Sequence, residues 1–205
     1  MKLVGVYVSP FVRRVAIALN LYGITYEHVA ASVVDSREAV TSFNPLGRMP
    51  SLELDDGTVL VDSHQILADL DRQIGPENMM LPAPAAAREY GQMIALTTGA
   101  LEKFVAMFYE TSRRPAEKVW PDWAQLCTRQ AFSGVSEAER RAEPNVLEGG
   151  FLFGERITHA DVAAVLAFEF AQRVGGAGVT AASHPRLSAL AGRLSMSPAF
   201  LTTRP

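Results

Sequence analysis

Two places in the chain put hydroxyl and carboxylate groups where helices begin, and these are the residues best placed to do chemistry. Ser9 precedes Pro10 and a run of apolar residues at helical spacing, so its hydroxyl reads as a cap for the first-turn amides. Asp62 and Ser63 open a second helix in the same way. Tyr7, two positions before Ser9, carries another hydroxyl, but an aromatic at a strand end is more often part of the core. Competing chemistries lack their residues. Cys127 is the only cysteine, which excludes an internal disulfide, a cysteine-rich zinc site and a Cys-x-x-Cys redox centre and leaves a packed or surface thiol. His28, His64, His159 and His184 have no metal-ligand spacing, so no metal is expected.

The elements that must hold these groups follow from periodicity and punctuation. Lys2–Val8 is apolar and β-branched and predicts a first strand. Phe11, Val12, Val15, Leu19 and Tyr22 predict a helix from Ser9–Pro10 to Gly23, and residues 24–29 predict a second strand joined by a parallel crossover. Asp35-Ser36-Arg37-Glu38 caps a short helix ending at Asn44-Pro45. Ser51–Leu54, the turn Asp55-Asp56-Gly57-Thr58 and Val59–Val61 predict a hairpin, and Ile66, Leu67, Leu70 and Ile74 a helix closed by Gly75-Pro76. The first half therefore reads βαβαββα.

Proline-rich residues 75–84 read as a linker, and no strand is expected beyond them. A long helix is predicted over 85–112, and a second within 115–143 with Pro121 and Gly134 blurring its ends. Thr158-His159-Ala160-Asp161 is a capping box opening an apolar helix over 160–174. Gly175-Gly176-Ala177-Gly178 reads as a loop and His184-Pro185 starts a terminal helix. The expected fold class is thus α/β followed by all-α.

Composition narrows the function classes. A chain of 205 residues with 48% hydrophobic and 20% charged content can bury real cores and is neither disordered nor fibrous. With 19 Lys+Arg against 22 Asp+Glu and no basic block, nucleic acid and anionic membrane are disfavoured as partners. No apolar run is long enough to span a bilayer, and the short apolar start is not a secretory leader, so a cytoplasmic location is expected.

The order of elements, with Ser9-Pro10-Phe11-Val12-Arg13-Arg14-Val15 on the first helix, resembles the cytosolic glutathione S-transferases, in particular their serine-type, bacterial-like members. Three further signatures carry the likeness over nearly the whole chain: Asn44-Pro45-Leu46-Gly47-Arg48-Met49-Pro50, the Asp62-Ser63 pair, and Gly154 followed by Thr158-His159-Ala160-Asp161. The resemblance implies a thioredoxin-like glutathione-binding domain over 1–76, a linker over 77–84 and an all-helical domain over 85–205. It further implies a homodimer that uses glutathione as co-substrate, without a cofactor, activating it as a thiolate against a hydrophobic electrophile in detoxification, with peroxide reduction as a side activity. The alternative it leaves open is a non-catalytic ligand carrier or a regulatory protein of stringent-starvation type.

Residue by residue, the resemblance assigns the thiol-activating hydroxyl to Ser9, with Tyr7 as the tyrosine-type alternative. Met49-Pro50 resembles a cis-proline element that faces the cysteinyl part of glutathione. Arg48 corresponds to a basic position that pairs with the glycyl carboxylate, or is a solvated loop arginine. Asp62 and Ser63 correspond to the acidic-Ser pair that holds the γ-glutamyl end, although many members carry Glu there. Family members with cysteine in place of Ser9 form mixed disulfides, which a serine cannot. Phe104, Met107, Phe108 and Tyr109 read either as core or as pocket, and Trp120 and Trp123 stay unassigned.

Overall fold

Gly5 decides where the first strand stops. In the computed structural model, which describes residues 1–174 and 178–205, its φ is +136° and a Cβ there would lie 2.5 Å from Val12 Cγ2 and 3.1 Å from Met49 Cβ. Only glycine allows that approach. Strand β1 is therefore Lys2–Val4, shorter than the expected 2–8, and Tyr7 lies in the turn that follows rather than at a strand end. Helix α1, Pro10–Leu21, starts and stops where Ser9-Pro10 and Gly23 indicate, Gly23 having φ +67°. Strand β2 is Glu27–Val29, shorter than residues 24–29. Its pairing with β1 begins where Glu27 N–H donates to Met1 C=O at 3.0 Å.

Helix α2 (Arg37–Phe43), the hairpin of β3 (Ser51–Glu53) and β4 (Val59–Val61), and helix α3 (Ser63–Ile74) complete the βαβαββα order. The sheet runs β2-β1-β3-β4, with β1 parallel to β2 and antiparallel to β3, and β3 antiparallel to β4. This is a thioredoxin-like arrangement. Its core joins Leu3 and Leu52 of the sheet to Val12, Val15 and Leu19 of α1 and Ile66 and Leu70 of α3, all fully buried. Val40 of α2 packs against Val4 and Ala31.

The second unit is helical: α4 (Ala87–Ser112), α5 (Pro121–Arg141), α6 (His159–Val174) and α7 (Pro185–Leu194). Pro121 is the first residue of α5, and Gly134 lies inside it. That glycine is no boundary but a contact point, since a Cβ would sit 3.0 Å from both Ala100 Cβ and Leu96 O of α4. The capping box forms: Asp161 accepts from Thr158 N and Oγ1 at 2.8 and 2.7 Å, and also from Leu152 N at 2.8 Å. Burial pushes the Asp161 carboxyl up, against these hydrogen bonds. Residues 175–177 of the expected glycine-rich loop lie outside the described residues. No helix among the described residues is long and apolar enough to cross a membrane.

The chain divides into Met1–Met80 with Met196–Pro205, and Leu81–Ser195. The last ten residues, assigned from sequence to the helical half, thus group with the first unit. Their short helix α8 (Pro198–Leu201) packs on α1. Arg13 lies over the Phe200 ring at 5.9 Å, and Asn20 Nδ2 donates to Ala199 O and Thr202 Oγ1 at 3.3 and 3.1 Å.

Candidate functional site

The sheet register brings three chain segments to one end of the first unit. Val4 pairs with Ser51, and Ser51 with Val61. The chain leaves β1 after Val4, enters β3 at Ser51 and leaves β4 after Val61. Met49-Pro50 and Asp62-Ser63 therefore flank a single transverse row of the sheet, and Ser9 follows the same row by the turn that begins at Gly5, although up to 54 positions separate these residues in the sequence.

Ser9 is the N-cap of α1, half-buried, with its Oγ accepting from Val12 N at 3.5 Å. That bond is at the long end of the range, so the cap is weak. The Ser9 hydroxyl donates to none of the described residues. No acidic side chain occupies the first turn of α1, which leaves the positive end of its dipole uncompensated.

The Met49–Pro50 peptide is cis. The loop ahead of it is held by Asn44, 2% exposed, whose side chain donates to Arg48 O at 2.8 Å and accepts from Leu46 N at 2.9 Å. Met49 packs against the open face of Gly5, which ties this loop to the turn that carries Ser9. The Arg48 side chain is exposed and forms no ion pair with the described residues.

Asp62 caps α3 by accepting from His64 N at 2.8 Å, and it is the one non-glycine residue of positive φ, +71°, among the described residues. A backbone held there is strained by about 1–3 kcal/mol. Ser63 is buried, and Arg14 Nη1 donates to its Oγ at 3.3 Å while lying 3.4 Å from His64 Nε2. A guanidinium cannot accept, so Ser63 Oγ is the acceptor and its own hydrogen remains available.

Tyr7 has its partners on and beside β2. Its hydroxyl shares a hydrogen bond with Tyr26 Oη at 2.9 Å, and its ring stacks on His28 at 4.0 Å between centroids with the planes 6° apart. Burial, and then the Tyr7 hydroxyl, push the Tyr26 phenol well above its ordinary range. His28 Nε2 in turn lies 2.7 Å from Gly5 C=O.

Among the aromatic residues of α4, Phe104 is fully buried and meets Phe132 edge-on at 5.4 Å, and Met107 is buried as well. These two are core; Tyr109 is exposed. Trp120 stacks on Trp123 at 6.4 Å and is 62% exposed. Sequence reasoning missed Arg14, Asn44 and His28. The one available signal was that an α1 so apolar on every side must pair any charge it carries.

Comparison with known proteins then locates the chain. Residues 3–78 match the family model described as glutathione S-transferase, N-terminal domain. The chain is 34% identical over 119 residues to the uncharacterised GST-like protein YibF of Escherichia coli, spanning 58% of each chain. It is 27% identical to the maleylacetoacetate isomerase of Pseudomonas aeruginosa over 100% of this chain and 96% of that one. Among solved structures, a glutathione S-transferase of Methylobacterium radiotolerans in complex with glutathione sulfonate superposes with a TM-score of 0.89 at 26% identity, over 100% of this chain and 94% of the other.

Proposed function

We propose that this chain, whose residues 3–78 match the glutathione S-transferase N-terminal domain, is a glutathione transferase that binds glutathione as co-substrate and ionises its thiol, the proton leaving to solvent, for attack on a hydrophobic electrophile. The observation that supports this function is the Val4–Ser51–Val61 row, flanked by the Met49-Pro50 loop and the Asp62-Ser63 helix cap and followed by the turn to Ser9, whose hydroxyl caps α1 only weakly. The γ-glutamyl end suits Asp62-Ser63: the carboxylate of Asp62 attracts the ammonium, and the Ser63 hydroxyl and the start of α3 suit the carboxylate. The cysteinyl part lies along Met49-Pro50, and Arg48 reaches the glycyl carboxylate from its exposed loop.

With the tripeptide anchored at both ends, the sulfur falls to the start of α1. There the Ser9 O–H donates to the thiolate as it forms, and the uncompensated helix end lowers the cost of the negative charge. Nothing in this chemistry needs a bound cofactor. The enzyme holds two reactants in attack geometry and keeps one of them ionised. The glutathione sulfonate bound by the Methylobacterium relative supports the ligand class. The relationship to a maleylacetoacetate isomerase supports a second outcome for the same thiolate: addition to an activated double bond, rotation, and departure without net transfer.

The test is to titrate glutathione into the pure protein and follow thiolate absorbance across pH, then assay halonitrobenzenes, isothiocyanates, organic peroxides and activated cis-alkenes. Ionisation near neutral pH with turnover of at least one class is expected. Glutathione binding with an unshifted thiol and no turnover would make the protein a carrier.

A further inference from the structure

We propose that His28 and Tyr26, on and beside the edge strand β2, are positioning residues that aim Ser9 by fixing the turn that carries it. The role rests on the glutathione-activating function proposed above. The turn between Gly5 and Ser9 is what sets the direction of the Ser9 hydroxyl. Gly5 cannot stiffen it, and within it Ser9 N–H donates to Val6 C=O at 2.9 Å.

Further restraints come from across the sheet, where Gly5 N–H donates to Val29 C=O at 3.0 Å. A carbonyl oxygen only accepts, so His28 Nε2 carries the proton and donates to Gly5 C=O at 2.7 Å. The same ring stacks face to face on Tyr7, and the Tyr7 hydroxyl is tied at 2.9 Å to Tyr26. One end of the turn is thus held at its backbone and its middle by a side chain, both from residues 26–29. Neither His28 nor Tyr26 lies on α1, at the Met49-Pro50 loop or at Asp62-Ser63, so neither is needed to hold glutathione itself. The hydroxyl of Tyr7 is assigned a mechanical task, in place of direct donation to sulfur.

A positioning role differs from a merely structural one in what it moves. His28→Leu removes the donor and the flat stacking face; His28→Gln keeps an N–H that can reach Gly5 C=O. With glutathione saturating, His28→Leu should lower kcat about tenfold and raise the pKa of the bound thiol, with KM for glutathione changed less than twofold, and His28→Gln should restore most of the loss. Tyr7→Phe and Tyr26→Phe both break the Tyr7–Tyr26 bond, and Tyr26→Phe also loses an interaction with Asn20, so both should raise the thiol pKa and the double variant should be no worse than Tyr26→Phe alone.

Three results would overturn the proposal. One is His28→Leu melting earlier while kcat and the thiol pKa stay put. Another is Tyr7→Phe raising the thiol pKa while Tyr26→Phe is silent, which would make Tyr7 the direct donor. The last is Ser9→Ala leaving the thiol pKa unchanged, which would remove the underlying function and this role with it. An effect of Ser9→Ala combined with silence from His28→Leu would sink the positioning role alone.

Discussion

Removing the Ser9 hydroxyl tests the chemistry most directly, and the size of the effect can be worked out beforehand. A free thiol titrates near ~8.5, and holding it ionised with a pKa of ~6.5 requires about 2.7 kcal/mol at ~1.36 kcal/mol per unit. The start of α1 supplies about 0.3–2 kcal/mol, and a hydrogen bond from Ser9 to the charged sulfur about 1.5–3 kcal/mol. Ser9→Ala deletes the second contribution and leaves the first. The bound thiol should therefore rise by about 1–2 units, and kcat at pH 6.5 should fall about tenfold as the thiolate fraction drops. The sign with pH is fixed: the loss is largest below the wild-type thiol pKa and closes above the raised one, where both proteins hold thiolate. Because the cap to Val12 N is long at 3.5 Å, lost capping should cost only about 0.5 kcal/mol of stability, so a folded protein is available for the assay. Ser9→Thr should recover most of the activity. The pH–rate profile in kcat and the ultraviolet titration of bound glutathione are the measurements. An unshifted thiol in a folded Ser9→Ala protein would refute the assignment.

Other expectations come from other parts of the molecule. Asp62→Gly should relieve a positive φ of +71°, raising stability by about 1 kcal/mol while weakening glutathione binding more than tenfold; calorimetry of melting and binding reads both, and tighter binding would contradict the role given to the carboxylate. Gly134→Val forces atoms into a gap where a Cβ already meets α4 at 3.0 Å, so urea melts should show a loss of about 1–3 kcal/mol. His184, held between Ser136 and Ser183 hydroxyls at 3.2 and 2.8 Å, has its pKa lowered by burial. The unfolded chain therefore binds the proton first, and stability should fall as pH drops from about 6.5 through the lowered value. Thermal melts of the wild type between pH 7.5 and 5 should show this slope, and His184→Gln should flatten it.

The parts of the fold that are local in origin could be read from the residues. Ser9-Pro10 and Gly23 bracket α1, Asp55-Asp56-Gly57-Thr58 makes the hairpin turn, and Thr158 with Asp161 caps α6, because each is settled by neighbours a few positions apart. The errors came from distant partners. Val6 and Val8 are strand-like residues, yet β1 ends before them because Val12 and Met49 press on Gly5. Gly134 looked like a break and is a point of close helix packing. Phe200 looked like part of the helical half but packs under Arg13. In the candidate site, Ser9, Met49-Pro50 and Asp62-Ser63 were visible as motifs, while Arg14 beneath Ser63 and His28 on Gly5 depend on folding bringing them there.

The seating of Phe200 and Asn20's partners on α1 also has a bearing on how the protein is made. Residues 1–80 are synthesised before residues 81–205, yet the face of α1 that meets Ala199, Phe200 and Thr202 stays uncovered until all of Leu81–Ser195 has been made and Met196–Pro205 follows. The unit of residues 1–80 must therefore wait, partly finished, for its closing segment, so removal of residues 196–205 should register as instability in that unit.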